Sequence, residues 1–178
     1  MTNEKIKEEY YRPCVGIMLL NHSGAVFTGQ RLDYKSSAWQ MPQGGIEEGE
    51  DFKAAAIREL LEETGITENN IQYLDEIAEW LYYDIPKDMV NNLWSGRYKG
   101  QRQKWFLFRY LGRDSDINIK TKIPEFSCWK WSKGEELVDS IVPFKKDIYK
   151  KLVSNFRNYI SNSWRFANSY TFNLSKKS

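Results

Sequence analysis

Residues 44–66, GGIEEGEDFKAAAIRELLEETGI, constrain this chain more than any other stretch. Asp51 belongs to the residue types that cap a helix N-terminus, and Gly65 can end a helix in the left-handed conformation. Between them lie Ala54, Ala55, Ala56, Leu60 and Leu61, good helix formers uninterrupted by proline. The spacing therefore predicts a helix running from Asp51 to Gly65. On it Glu59, Glu62 and Glu63 stand at i, i+3 and i+4, which puts three carboxylates on one face. Ala56, Ile57, Leu60 and Leu61 are expected to form the core stripe on the other side.

Three like charges on one helical face repel one another. A solvated acidic surface is the ordinary explanation of such a run. Here the run follows a glycine-rich turn, and the helix is apolar opposite the acids. A hard divalent cation would relieve the repulsion. Mg²⁺ takes oxygen ligands, keeps several waters and shares its shell with substrate phosphates. Arg58, four residues before Glu62, can brace that carboxylate.

Gly44, Glu50, Arg58, Glu59, Glu62, Glu63 and Gly65 fill every fixed position of a known pattern. It reads Gly, five residues, Glu, seven residues, Arg-Glu, an aliphatic, any residue, Glu-Glu, any residue, Gly, aliphatic. The stretch resembles the Nudix box. The resemblance implies a hydrolase that cleaves a nucleoside diphosphate linked to another moiety. It implies an α+β, mixed α/β fold: the Nudix α/β/α sandwich with a mixed central sheet, a catalytic loop-helix and a C-terminal helix. It also implies a divalent metal, Mg²⁺ or Mn²⁺, held by the Gly44 carbonyl, Glu59, Glu62 and Glu63. Arg58 is then expected as a brace, and Glu50 as the tie between loop and helix.

Flanking stretches narrow the resemblance to RNA pyrophosphohydrolases and the related dinucleoside polyphosphate hydrolases. They include Tyr11-Arg12-Pro13, Trp39-Gln40-Met41-Pro42-Gln43, Gly100-Gln101-Arg102-Gln103-Lys104-Trp105-Phe106, Pro124-Glu125-Phe126, Trp129-Lys130-Trp131 and Pro143-Phe144-Lys145. The loop from Arg31 to Trp39 is longer than in that pattern. By this likeness Glu125 points back at the carboxylates as a further ligand or base. Arg12, Arg31, Gln43, Gln103, Phe144 and Lys145 become candidate substrate contacts, with Phe144 stacking a base and the cations taking phosphates. Without the likeness, Gln101 and Gln103 read as edge-strand polars, Glu125 as a loop acid and Phe144 as a core cap. Arg12, Arg31 and Lys145 then read as surface charges. The implied partner is 5′-triphosphate RNA or a dinucleoside polyphosphate, with no double-stranded DNA and no membrane, and a monomer is expected.

Composition limits the alternatives. The chain has 178 residues, enough for one domain, with 41% hydrophobic and 15% aromatic residues to build a core. Its 26 basic and 24 acidic residues leave a net charge of +2, too even to argue for nucleic acid from charge alone. His22 is the single histidine, in the expected turn Asn21-His22-Ser23-Gly24, so carboxylates must carry acid–base work. Cys14 and Cys128 form no metal motif and are expected as unpaired thiols of a reducing cytoplasm. The start, MTNEKIKEEYYRP, lacks the apolar run of a secretory signal. Residues 1–9 are expected as a flexible leader, 10–161 as a single domain and 162–178 as a polar tail.

Strands are expected at Cys14 to Leu20, Ala25 to Arg31, Ile71 to Tyr83 (one bent or two short), Gln103 to Leu111 and Phe126 to Trp131. The aromatics Trp105, Phe106, Phe108, Trp129 and Trp131 are expected in the core. Pro86 to Gly100 reads as a loop. Ser132 is expected to cap a short helix with Glu135 as its capping-box acid, and Pro143 to open a last helix reaching about Ile160.

Overall fold

The structure is a computed structural model that describes residues 8–33, 37–90 and 94–160. The expected tail, most of the expected leader and part of the loop after Arg31 lie outside the described residues.

The run from Cys14 to Leu20 is apolar at consecutive positions rather than alternate ones, the mark of a strand covered on both faces. It lies in β1 (Tyr11–Leu20), at the centre of a mixed sheet. β1 pairs in parallel with β5 (Gly100–Tyr110) along its whole length, from Tyr11 opposite Gly100 to Leu20 opposite Arg109. The Asn21–Gly24 turn folds the chain back into β2 (Val26–Arg31): Asn21 Oδ1 accepts from the Ser23 and Ala25 amides, and Gly24 supplies φ 79°. β2 pairs antiparallel with β6 (Phe126–Ser132), and β5 with β4 (Ile71–Asp84). The strand order is β4-β5-β1-β2-β6, with the short β3 (Gln43–Gly45) on the first half of β1. β4 is one strand whose register slips between Tyr73 and Asp75 and again between Ile77 and Leu81, so it bends without breaking.

Alternate residues of β1 and β5 feed two cores. Val15, Ile17, Leu19, Phe106 and Phe108 pack under α1 (Phe52–Thr64) with Ala55, Ala56 and Leu60. Met18, Leu20, Trp105 and Leu107 pack on the other face with Ile148, Tyr149 and Leu152 of the last helix. The result is the α/β/α sandwich. Trp105, Phe106 and Phe108 are buried as expected, while Trp129 and Trp131 are half-buried at the sheet end.

Three expectations need correction. Gln101 and Gln103 are not on an edge: β5 lies between β4 and β1, and both side chains are buried. The stretch after Pro86 contains a short helix, α2 (Lys87–Val90). Ser132 ends β6 and caps nothing, because its hydroxyl pairs with Thr28 Oγ1 at 2.7 Å inside the β2–β6 pair. The helical turn Gly134–Glu136 and α3 (Leu137–Ser140) follow instead from Lys133, whose amide donates to Glu136 rather than Glu135. Pro143 opens a tight turn, Pro143–Lys145, leading into α4 (Lys146–Asn155). The chain is helical again over residues 157–160.

β1 passes closely beneath Trp105. A Cβ on Gly16 would sit 2.4 Å from the indole Cε2, and the ring is wholly buried. Overpacking of a filled core costs roughly 1–3 kcal/mol. Gly16→Ala is therefore expected to lower the unfolding free energy by that amount, seen as a lower urea midpoint at an unchanged m-value, and wild-type stability in that variant would contradict the packing.

Candidate active site

Asp51 caps α1 through Oδ1, which accepts from the Ala54 amide at 3.0 Å, and Gly65 ends it at φ 70° with its amide on Leu61 O. The buried face is Ala55, Ala56, Glu59, Leu60, Glu63 and Thr64. The expected division into an acidic and an apolar side is thus corrected. Ala56, Glu59, Leu60 and Glu63 form one i, i+3, i+4, i+7 stripe, so two of the carboxylates face inward with the apolar residues. Leu61 turns outward, 44% exposed, and of the three acids only Glu62 points mainly to solvent.

Arg58 holds the loop to the helix. Its guanidinium meets Glu50 through two 2.8 Å bonds, Glu59 Oε1 at 2.8 Å and the Gly45 carbonyl at 2.8 Å. Its contact to Glu62, the brace expected from spacing, is the long one at 3.5 Å. The Glu50 carboxylate also accepts from the Glu47 amide at 2.9 Å. Bonding to Arg58 holds the Glu50 carboxyl down to about 2. Gly44 lies so close to Glu59 that a Cβ there would fall 1.9 Å from its carboxyl carbon.

Glu63 is different. Its side chain is 1% exposed, and neither carboxylate oxygen has a hydrogen-bond partner. Burial raises its pKa well above the carboxylate range, and the neighbouring charges of Glu125 and Glu59 raise it further. Glu63 and Glu125 could bond to each other only by sharing a proton. Burial likewise raises Glu59, against the opposing pull of Arg58. An unpaired buried carboxylate costs several kcal/mol unless a cation compensates it. The donor set is all oxygen, suited to a hard divalent ion. The side chains are not already closed into a cage: among the described residues no three acidic, histidine or cysteine groups converge on one point.

These groups border a cleft of about 990 Å³. Glu59, Glu62, Glu125 and Gly44 line it, while the buried Glu63 is not part of its lining. Arg12, Arg31 and Lys145 line it as well, so acids and bases share one cavity. Arg31 grips Asp33 through two contacts, Nε to Oδ1 at 2.6 Å and Nη2 to Oδ2, and lies 3.7 Å from Glu125. Lys145 is not a surface charge: it is 7% exposed, donates to Gln43 Oε1 at 2.9 Å and lies 5.3 Å over the Tyr83 ring. Burial lowers its pKa to about 8, with Arg31 adding to the effect. Phe144 is half-buried at the cleft wall, its ring 5.8 Å from that of Tyr83. Gln43 reaches the cleft; Gln103, at 1% exposure, lies beneath it. Asp33, Gln40, Tyr83 and Gln101 also line the cleft and were not singled out as contacts from sequence. Gln101 lies within one of the flanking stretches of the resemblance, and the alternation of β4 could have pointed to Tyr83.

A family profile described as the NUDIX domain matches residues 10–152. The chain belongs to the NUDIX family. Among its relatives, a protein of Roseobacter denitrificans named RNA pyrophosphohydrolase is 54% identical over 160 residues, covering 90% of this chain and 100% of that protein. A Wolbachia pipientis protein of the same name is 49% identical, covering 88% of this chain and 96% of that one. Similar solved folds include an Ap4A hydrolase of C. elegans, with TM-score 0.61, 22% identity and coverage of 83% and 98%. The E. coli dihydroneopterin triphosphate pyrophosphohydrolase has TM-score 0.63, 18% identity and coverage of 82% and 98%. The NUDIX fold is thus shared with enzymes of different named substrates.

Two measurements on the metal-free NUDIX chain test the electrostatics. Glu50 is held low in the folded state, so its contribution to stability is complete above its ordinary value near 4.5 and is lost as pH falls toward about 2. The stability gap between wild type and Glu50→Gln should be constant above pH 5 and shrink below it; a gap independent of pH would remove the Arg58 clasp as its cause. Glu63, held high, acts in the opposite sense: its charge opposes folding increasingly as pH rises above its unfolded value. Glu63→Gln should stabilise the metal-free protein at pH 7 by about 1–3 kcal/mol in urea unfolding, and a destabilised variant would contradict the unpaired buried carboxylate.

Proposed function

We propose that this hydrolase is an RNA 5′ pyrophosphohydrolase, converting 5′-triphosphate RNA to 5′-monophosphate RNA with release of pyrophosphate. The observation that carries the reading is the single cleft in which clustered carboxylates meet Arg12, Arg31 and Lys145. Such a site can hold a polyphosphate chain on the cations and present one of its linkages to the acids beside them. The roughly 50% identity to proteins named RNA pyrophosphohydrolase supports RNA as the moiety carrying that chain.

The Gly44 carbonyl, Glu59, Glu62, Glu63 and Glu125 would hold Mg²⁺ or Mn²⁺. Bound there, the ion supplies charge neutralisation and lowers the pKa of water. The protein's own groups do the rest. Arg12, Arg31 and Lys145 take the outer phosphates as charge-assisted donors. Phe144, seated on Tyr83, offers a ring face to the first base, and Gln43 an amide at the cleft wall. Arg58 fixes Glu59 and the loop, so the carboxylates keep a set spacing. The proton of the attacking water passes to one of these carboxylates as the phosphoric anhydride bond breaks. In this reading the protein acts in RNA turnover in the cytoplasm. Among the described residues no helix is long and apolar enough to cross a membrane.

A cleft of this chemistry also suits a dinucleoside polyphosphate, whose bridge carries similar charge and whose bases could use the same aromatic wall. Direct competition decides: 5′-triphosphate RNA and diadenosine tetraphosphate at equal concentration in one Mg²⁺-supported reaction. Faster release of pyrophosphate from RNA is expected. Preferred cleavage of the dinucleotide would reassign the substrate. In the same assay Glu62→Gln and Glu63→Gln should each cut turnover by at least ~10²-fold while leaving the fold intact; near-normal turnover in both would remove the carboxylates from the chemistry.

A further inference from the structure

Below the cleft floor lies a line of buried polar groups with a fixed direction. It begins at Trp105, whose indole Nε1–H donates to Gln103 Oε1 at 3.0 Å. An indole can only donate, so Gln103 must turn its oxygen toward Trp105 and its amide nitrogen away. That nitrogen donates to Gln101 Oε1 at 2.8 Å and to Gln43 Oε1 at 3.3 Å. Gln43 completes the arrangement by donating to Gln101 Oε1 at 3.4 Å. The Gln43 oxygen, now fixed, accepts from Lys145 Nζ at 2.9 Å.

The line thus ends on a second group that can only donate, an ammonium. The two ends of a glutamine amide have nearly the same shape, so packing alone does not choose between them. The choice is made by the two terminal donors, and of these Trp105 is the one that packing holds in place. Its ring is seated flat against Gly16, which fixes where the indole N–H points. Trp105 and Gln103 are buried and lie outside the cleft lining, so solvent is poorly placed to replace a wrongly turned Gln103 amide. Were Gln103 reversed, its oxygen would face the Gln43 oxygen. Gln43 would then turn and set its NH₂ against the Lys145 ammonium, donor against donor.

We infer that Trp105 and Gln103 are positioning residues, which through Gln43 fix the Lys145 ammonium at the cleft wall. The inference rests on the reading of Lys145 as a phosphate-binding group. It moves Gln103 from substrate contact to the layer beneath, and it gives Trp105 a role besides filling the core.

Two substitutions separate direction from packing. Gln103→Glu keeps an acceptor for Trp105 but faces Gln43 with oxygen instead of N–H; Gln103→Met removes both ends at similar length. For the substrate preferred in the competition assay, Gln103→Glu should raise KM at least about tenfold and Gln103→Met about threefold, with kcat within about threefold of wild type. In a Lys145→Met background neither should raise KM further, because the group they act through is gone. Undiminished effects in that background, or a lowered melting temperature with unchanged KM, would overturn the inference and leave Gln103 a packing residue. If Gln103→Glu does not fold, the Met variant still carries the cycle. A measurement without substrate separates failure here from failure of the functional reading. The nuclear Overhauser contact between the Gln43 side-chain NH₂ and the Lys145 εCH₂ should strengthen in Gln103→Glu. If neither RNA nor dinucleotide is cleaved, the functional reading fails and this contact alone judges the line; an unchanged contact overturns it.

Discussion

The Arg58 guanidinium is the interaction on which the site depends. A planar group with five donors can satisfy several acceptors at once, and here it joins Glu50, Glu59 and the Gly45 carbonyl. These come from a loop, a helix and a short strand, which it ties together at the cleft. A lysine would offer a point charge without the fork. The clasp also divides the acids. It compensates Glu50 and Glu59 but does not reach Glu63, whose carboxylate stays buried and unpaired at the place where the fold would otherwise gain from an apolar side chain. Stability is thereby surrendered at one residue and secured at its neighbours, the pattern expected where a cation completes the structure.

The sandwich surrounding this clasp was legible wherever periodicity was strong. The continuous apolar run of β1, the Asn21–Gly24 turn and the Asp51 and Gly65 caps all follow from local chemistry. So do the box residues, whose spacing on a 3.6-residue helix leaves few alternatives. The faces of α1 were less legible. The stripe through Ala56, Glu59, Leu60 and Glu63 has ideal helical spacing, yet two of its four members are acids, and a polarity criterion assigns acids to solvent. Leu61 was drawn into the core by the same criterion. Ser132 shows a related limit: a hydroxyl before a helical turn is a cap only if no cross-strand partner claims it first, and Thr28, far away in sequence, does.

The cleft's cationic wall was legible as residue types but not as environments. Lys145 follows Phe144 at a helix start, where a lysine is ordinarily solvated. Its burial depends on the approach of Gln43, Tyr83 and β5, none of them adjacent in the chain. Gln101 and Gln103 fit a polar edge as well as a buried ladder, since alternation shows which residues share a face and not whether that face is covered.

The parallel pairing of β1 with β5 sets a schedule for assembly. Residues opposite one another along this pair are separated by about ninety positions in the chain. β1, apolar on both faces, emerges during synthesis well before its central partner exists. At roughly 5–20 residues per second the gap is roughly 4–18 s. The hairpin with β2 can form in microseconds, but it leaves the other edge of β1 bare. The cleft itself waits longer, because Lys145 follows β5 by a further stretch of chain. Folding of this protein is thus governed by a late, long-range closure, and its first strand is the segment most in need of shelter until that closure occurs.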